Sequence, residues 1–205
     1  MVCLENTHNG AGGAVTPLHD LRELTAVARG VNLPVHLDGA RLWNAAVATG
    51  TSLADFAACA DTVMVAFSKG LGAPVGSVLV GSSALIKEAR RWRKVLGGGM
   101  RQAGVLAAAG LYALEHHVSR LADDHLNAQA LAEGLRGIPG LEVETPQTNI
   151  VWVDVAQPLA ARLVPELKEK GVLATGSTRV RFVTHLDVTQ ADIVTAIAAV
   201  RAIAI

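Results

Sequence analysis

Apolar and polar positions along the chain alternate in a way that predicts strands interleaved with helices. Val2-Cys3-Leu4 reads as a first short strand, followed by the polar, glycine-rich stretch 5–15 with turn signals at Asn9-Gly10 and Gly12-Gly13. Thr16-Pro17 reads as an N-cap with proline at the first helical position, opening a helix to about Arg29 that stops at Gly30. Leu18, Leu21, Leu24, Val27 and Ala28 recur at helical spacing on one face. Residues 32–37 form the next strand, and a strand, helix, strand order is the right-handed crossover of a parallel sheet. Ser52 caps a short helix with Leu53, Phe56 and Ala57 inward. The run 62–67 is continuously apolar, as suits a strand buried on both faces, and 76–80 reads as its hairpin partner.

Ser82 or Ser83 then opens a helix carrying Lys87, Arg90, Arg91, Arg93 and Lys94. A glycine bend at 97–99 precedes the helix 103–116, which has almost no polar face and is therefore expected to be buried, against the sheet or another subunit. Beyond it come a long helix over 119–136, a break at Gly137-Ile138-Pro139-Gly140, strands over 141–144, 149–155 and 180–183, and helices over 159–170 and 189–204. Thr189 with Asp192 three residues on resembles a capping box. The expected architecture is α/β: a mostly parallel sheet flanked by helices over residues 1–118, then a linking helix and a small α+β domain over 119–205.

Two polar groups stand where strand packing alone would not select them. Asp38 closes the strand 32–37, and Lys69 closes the run that ends at Phe67. Adjacent parallel strands place their carboxyl ends on one edge of the sheet, where ligands bind. A carboxylate and a primary amine there suit a cofactor with one basic nitrogen and one carbonyl, and pyridoxal phosphate has both. Gly70, Gly72 and Gly76 leave the amine room, and a lysine before its glycines is the reverse of a P-loop. Gly39 and Ala40 are small enough to let a flat ring pass. Arg41 offers a bidentate fork to a carboxylate or phosphate, or a salt bridge to a nearby acid. Asn6 and His8, at the end of the first strand, are further ligand candidates. In the second lobe Arg179 and Arg181 alternate on one strand face, and with Thr184 and His185 they outline an anion site.

Composition narrows the function classes. With 51% hydrophobic and 18% charged residues in 205, a sizeable core is expected rather than disorder. Eighteen basic residues balance eighteen acidic ones, and only Trp92 interleaves with the basic helix, so no nucleic-acid partner is expected. Two cysteines are too few for a disulfide framework or a zinc cluster and point to a reducing, cytoplasmic setting. The first residues, with Glu5, Asn6 and His8 close behind Met1, lead us to expect no signal peptide. The longest apolar run, 103–114, is too short to span a bilayer, so no membrane partner is expected. His116-His117 is not a metal pair, because adjacent helix residues do not face each other, and no metal site is expected.

Taken together, Leu-Glu-Asn-Thr-His-Asn-Gly, His-Leu-Asp-Gly-Ala-Arg, Phe-Ser-Lys-Gly-Leu-Gly-Ala-Pro-Val-Gly, Trp-Arg-Lys with Gly-Gly-Gly-Met-Arg-Gln, and Val-Arg-Phe-Val-Thr-His-Leu-Asp resemble the low-specificity threonine aldolases. These belong to the β-eliminating lyase branch of the fold-type-I pyridoxal-phosphate enzymes. The resemblance implies part of that fold, with pyridoxal 5'-phosphate as cofactor and cleavage of threonine or allo-threonine to glycine and acetaldehyde. It implies that Lys69 carries the cofactor and that Asp38 pairs with its ring nitrogen. Arg41 and Arg181 match the arginines that grip the substrate carboxylate. Lys94 and Arg101 resemble basic residues lent to the active site by a neighbouring subunit of a dimer or tetramer. The family's members are longer, and the phosphate-gripping loop and the histidine that stacks on the ring have no counterpart in this sequence, so the chain alone is expected to be impaired. The alternatives are another fold-type-I enzyme, a β-eliminating lyase or an aminotransferase, and a non-catalytic folded fragment.

Overall fold

Three apolar runs with β-branched residues, separated by amphipathic helical stretches, assemble as parallel neighbours in a computed structural model that describes residues 1–204. The chain divides into two units, the first made of residues 1–8 and 15–121 and the second of 9–14 and 122–205. The first holds β1 (Val2–Glu5), α1 (Leu18–Gly30), β2 (Val35–Gly39), α2 (Leu42–Thr49), α3 (Leu53–Ala57), β3 (Thr62–Ala66), β4 (Ser77–Gly81), α4 (Ser83–Val95) and α5 (Gly104–His116). Its sheet runs β1-β2-β3-β4, with the first three strands parallel and β4 antiparallel to β3. The expected hairpin is present, and Gly76 enters it at φ 122°, a conformation that favours glycine.

Side chains from both layers fill the core of this unit. Leu21 of α1, Leu37 of β2, Leu42 and Ala45 of α2, Phe56 of α3, and Val63 and Val65 of β3 pack together. Full burial of each large member contributes about 1.5–3 kcal/mol. Ser52 caps α3 as expected, its hydroxyl accepting the Asp55 N–H at 3.0 Å.

Three local readings are corrected. No side chain caps α1, which starts at Leu18. Thr16 is instead bonded through both backbone groups to Asn6: its N–H donates to Asn6 Oδ1 and its carbonyl accepts from Asn6 Nδ2, each at 3.1 Å. The second strand begins at Val35 rather than at residue 32, because Leu33 N–H still closes the helix end on the Ala28 carbonyl and Pro34 has no N–H to give a ladder. Val35 N–H donates to Asp61 Oδ2 at 2.7 Å, and the strand continues to Gly39, which takes Asp38 inside it. Lastly, α5 buries only Gly110 and Ala113, while Val105, Leu111 and Tyr112 stand exposed. One stripe of it packs, with Ala113 beside Leu71, Ala73 and Leu121, and the described elements of the unit cover no other side. All five residues of β4 are exposed as well, and α4 buries none.

The second unit contains α6 (Leu121–Leu135, from Ala122 onward), β5 (Leu141–Val143), β6 (Ile150–Val155), α7 (Leu159–Glu169), β7 (Thr175–Gly176), β8 (Arg179–Val183) and α8 (Gln190–Ala204). Its sheet, β5-β6-β8-β7, is antiparallel throughout. Alternation along β6 and β8 sends Val151, Val153, Val180 and Phe182 into a core with Leu131 and Leu135 of α6, Leu163 and Leu167 of α7, and Ile193 and Val200 of α8. The two-residue β7 gave no sequence signal. The capping box is formed, with Thr189 N–H donating to Asp192 Oδ2 at 2.8 Å and Asp192 N–H to Thr189 Oγ1 at 3.3 Å. The Thr189 bonds hold the Asp192 carboxyl below its ordinary pKa.

The six residues 9–14 that join this unit do so through close packing. Gly12 and Gly13 have φ of 73° and 71°. A Cβ on Gly13 would lie 2.5 Å from Thr148 Oγ1, and one on Gly12 2.8 Å from Trp152 Cδ1. These glycines therefore serve the turn and a close approach to β6 together. Among the described residues no helix is long and apolar enough to cross a membrane.

Candidate active site

Parallel pairing aligns the carboxyl ends of β1, β2 and β3 on one edge of the first sheet. Asp38 stands opposite Glu5 on β1 and Met64 on β3, with Gly39 opposite Val65. The Asp38 side chain is half-buried, and its Oδ1 accepts the Ala40 N–H at 3.0 Å. That bond folds the carboxylate over the turn leaving β2. Gly39 is small for a reason other than the one expected. A Cβ there would lie 2.6 Å from the Met64 carbonyl oxygen and 3.0 Å from Leu42 Cβ, so the glycine lets the turn approach its own sheet and helix.

Lys69 follows β3 at the same edge, in a loop closed by Phe67 N–H on the Gly76 carbonyl (2.9 Å), Ala73 N–H on the Phe67 carbonyl (3.0 Å) and Gly72 N–H on the Lys69 carbonyl (2.9 Å). Its side chain is exposed, and among the described residues no hydrogen bond or ion pair engages it. The loop glycines also have a structural task. A Cβ on Gly70 would meet Leu121 Cδ2 at 2.9 Å and Asn44 Oδ1 at 3.2 Å, and Gly72 adopts φ 66°. They let the loop pack closely, while the Lys69 side chain stays exposed.

Two anchors of this loop, Trp43 and His117, have roles that the sequence pattern does not assign. Trp43 of α2 donates its indole N–H to the Ala66 carbonyl at 3.1 Å and stacks on Phe67, with ring centroids 6.2 Å apart. His117 donates from Nδ1 to the Leu71 carbonyl at 2.6 Å, which gives it a role as a loop fastener. His116 instead lies against the Tyr112 ring. An aromatic residue two positions after Arg41 and another just before Ser68-Lys69 were the available clue.

The remaining candidates are spread out. Arg41 is the half-buried residue preceding α2, with its carbonyl accepting the Asn44 and Ala45 N–H groups. Lys94 and Arg101 are exposed, in the last turn of α4 and the bend after it, and neither is bonded to Asp38 or Lys69. Asn6 is fully buried and committed to Thr16, so it is no ligand. His8 pairs with Glu5 at 3.6 Å.

In the second unit the proposed four-residue anion site reduces to one residue. Arg179 is already neutralised by Glu144 (2.6 Å) and Asp154 (3.6 Å) and lies 4.9 Å from the Trp152 ring centroid. Thr184 is buried and donates to the Asp124 carbonyl at 2.6 Å, and His185 pairs with Asp187. Arg181 differs. It is half-buried, its Nε has no hydrogen-bond partner, and among the described residues no carboxylate pairs with it. Among the described residues its one side-chain hydrogen bond runs from Nη1 to Asn9 Oδ1 at 3.0 Å.

Chemically, a half-buried carboxylate and an uncommitted primary amine on one sheet edge fit a pyridine aldehyde, the acid holding a protonated ring nitrogen and the amine condensing with the carbonyl.

The family model described as β-eliminating lyase matches residues 1–158. Low-specificity L-threonine aldolase of Escherichia coli K12 is 48% identical over 190 residues, covering 93% of this chain and 56% of that protein. Low-specificity L-threonine aldolase 1 of Arabidopsis thaliana is 42% identical over 200 residues, covering 94% of this chain and 56% of its own length. The chain thus spans about half the length of the curated relatives it matches. A Leishmania major threonine aldolase structure superposes with a TM-score of 0.80 over 100% of this chain and 61% of that one, at 20% identity, which shows the fold alone. The chain belongs to the β-eliminating lyase family, with a fold-type-I architecture.

Proposed function

We propose that this chain supplies the catalytic lysine edge of a pyridoxal-phosphate-dependent aldehyde-lyase that cleaves threonine and allo-threonine to glycine and acetaldehyde. One observation carries the reading: Asp38 and Lys69 stand at the carboxyl ends of adjacent parallel strands, and Lys69 is uncommitted. The relatives named as threonine aldolases support the choice of substrate.

When bound, pyridoxal phosphate supplies an aldehyde that holds amines covalently and a ring that withdraws electrons from the substrate α-carbon. The residues of the chain divide the other tasks. Asp38 keeps a proton on the ring nitrogen, and its Ala40 bond fixes the carboxylate for that purpose. Lys69 would hold the cofactor through its amine, and the same amine would be able to carry a proton at the substrate α-carbon. Arg41 and Arg181 grip the substrate carboxylate, which sets the direction of the α–β bond, an orientation effect. Lys94 and Arg101 serve the cofactor of a neighbouring subunit in a homo-oligomer, a dimer or tetramer. The exposed Val105, Leu111 and Tyr112 on α5 support such association. The setting is the cytoplasm, and the product glycine places the reaction in amino-acid metabolism, as a route of glycine biosynthesis.

An absorption titration with pyridoxal phosphate tests this directly. The expected result is a near-visible band that borohydride fixes as an adduct on Lys69 and that Lys69→Ala abolishes. A band that survives in Lys69→Ala, or an adduct on another lysine, refutes the assignment. Glycine with acetaldehyde as products separates the reading from a β-elimination, which would give pyruvate and ammonia from serine.

A further inference from the structure

The loop 9–14 is fastened to the strand pair that carries Arg181. Thr148 Oγ1 donates to the Gly13 carbonyl at 2.7 Å, Gly12 lies against the Trp152 ring, and Trp152 is the register partner of Arg181. Within the loop, the Asn9 carbonyl accepts the Gly12 N–H at 3.3 Å. Asn9 is thus held from both directions, and its side-chain oxygen is the acceptor for Arg181 Nη1.

A guanidinium is planar, so fixing one terminal nitrogen sets the direction of its remaining N–H groups. A neutral amide oxygen does this without cancelling the charge, whereas a carboxylate would pair with it. Arg179, two residues away, is the contrast, since Glu144 and Asp154 neutralise it. We infer that Asn9 is a positioning residue for the substrate carboxylate: it fixes the plane of Arg181 and leaves its charge for the ligand. This rests on the reading of Arg181 as a carboxylate grip. The asparagine is separated from Arg181 by 172 positions, and no sequence motif links the two.

The test uses the isotope-labelled full chain, the arginine Nε–H signals in NMR, and L-threonine as the probe ligand without added cofactor. Asn9→Ala is expected to shift the Arg181 signal, leave that of Arg179 in place, and raise the threonine dissociation constant about tenfold. Asn9→Asp retains the acceptor but pairs with the guanidinium, so it too weakens threonine binding while Arg181 stays ordered. Unchanged affinity in Asn9→Ala, or an Arg181 signal that does not move, overturns the inference. Arg181→Lys separates the two levels. If it leaves binding unchanged, or if the unaltered chain does not bind threonine, the carboxylate role of Arg181 falls and that of Asn9 with it. If it abolishes binding while both Asn9 variants bind normally, only the positioning role is refuted.

Discussion

Replacing Gly13 by alanine should be among the most damaging single-methyl additions in this chain. The backbone there has φ 71°, where an L-residue costs about 1–2 kcal/mol. The new Cβ would lie 2.5 Å from Thr148 Oγ1, well inside van der Waals distance, and 3.4 Å from Ile150 Cβ, in contact with a buried strand residue. Relief requires Thr148 to withdraw, which breaks its 2.7 Å bond to the Gly13 carbonyl and leaves buried polar groups unpaired, at about 1–3 kcal/mol. Loss of unfolded-state freedom returns about 0.4–1 kcal/mol. The net cost is about 1–5 kcal/mol, a large share of the roughly 5–15 kcal/mol that holds a typical protein folded. Urea and thermal denaturation followed by circular dichroism measure it, with an expected drop in Tm of about 2–18 °C. Gly30→Ala is the matched control. Gly30 ends α1, has open space around its Cβ position and lacks a positive φ, so alanine there should stabilise by about 0.4–1 kcal/mol. If Gly13→Ala and Gly30→Ala behave alike, the close approach of the loop to β6 is not what stabilises it.

Asn6→Ala removes a fully buried side chain that closes two bonds on the Thr16 backbone; it should lower stability by about 2–4 kcal/mol in urea titrations. A loss within about 0.5 kcal/mol would mean that these bonds are replaced by water. Burial pushes the His125 imidazole below its ordinary pKa of 6.5. The unfolded chain therefore binds that proton first, so the contribution is intact above about pH 6.5 and is lost as pH falls through the lower folded pKa. The urea midpoint should fall on acidification over that window, and His125→Gln should flatten the slope.

Much of the fold was legible because periodicity and punctuation agree: β3 and β4, the Ser52 cap and the Thr189–Asp192 box follow from local pattern. Asp38 and Lys69 were legible for a different reason, since a charged residue ending an apolar strand has no packing explanation. What the pattern could not show was tertiary. The glycines at 39 and 70 read as space for a ligand, yet the Met64 carbonyl and Leu121 occupy that space. Thr16 read as a cap until Asn6 claimed its backbone. Arg179 and Arg181 looked equivalent on one strand face, and only Glu144, just past β5, and Asp154 of β6 distinguish them. Asn9 reads only as part of a turn, because the Arg181 that donates to it lies 172 positions along the chain.

The loop 9–14 also has a consequence for how the second unit forms. Its bonds to Thr148 and Arg181 span 135 and 172 residues. Contacts of such sequence separation raise the contact order, and the entropy of closing the intervening chain must be met before they give any return. During synthesis the segment emerges long before β6 and β8, so its docking waits for nearly the whole chain. Seating of this six-residue clasp is therefore a late folding event, and chains released before Thr148 and β6 are made have nothing to hold it.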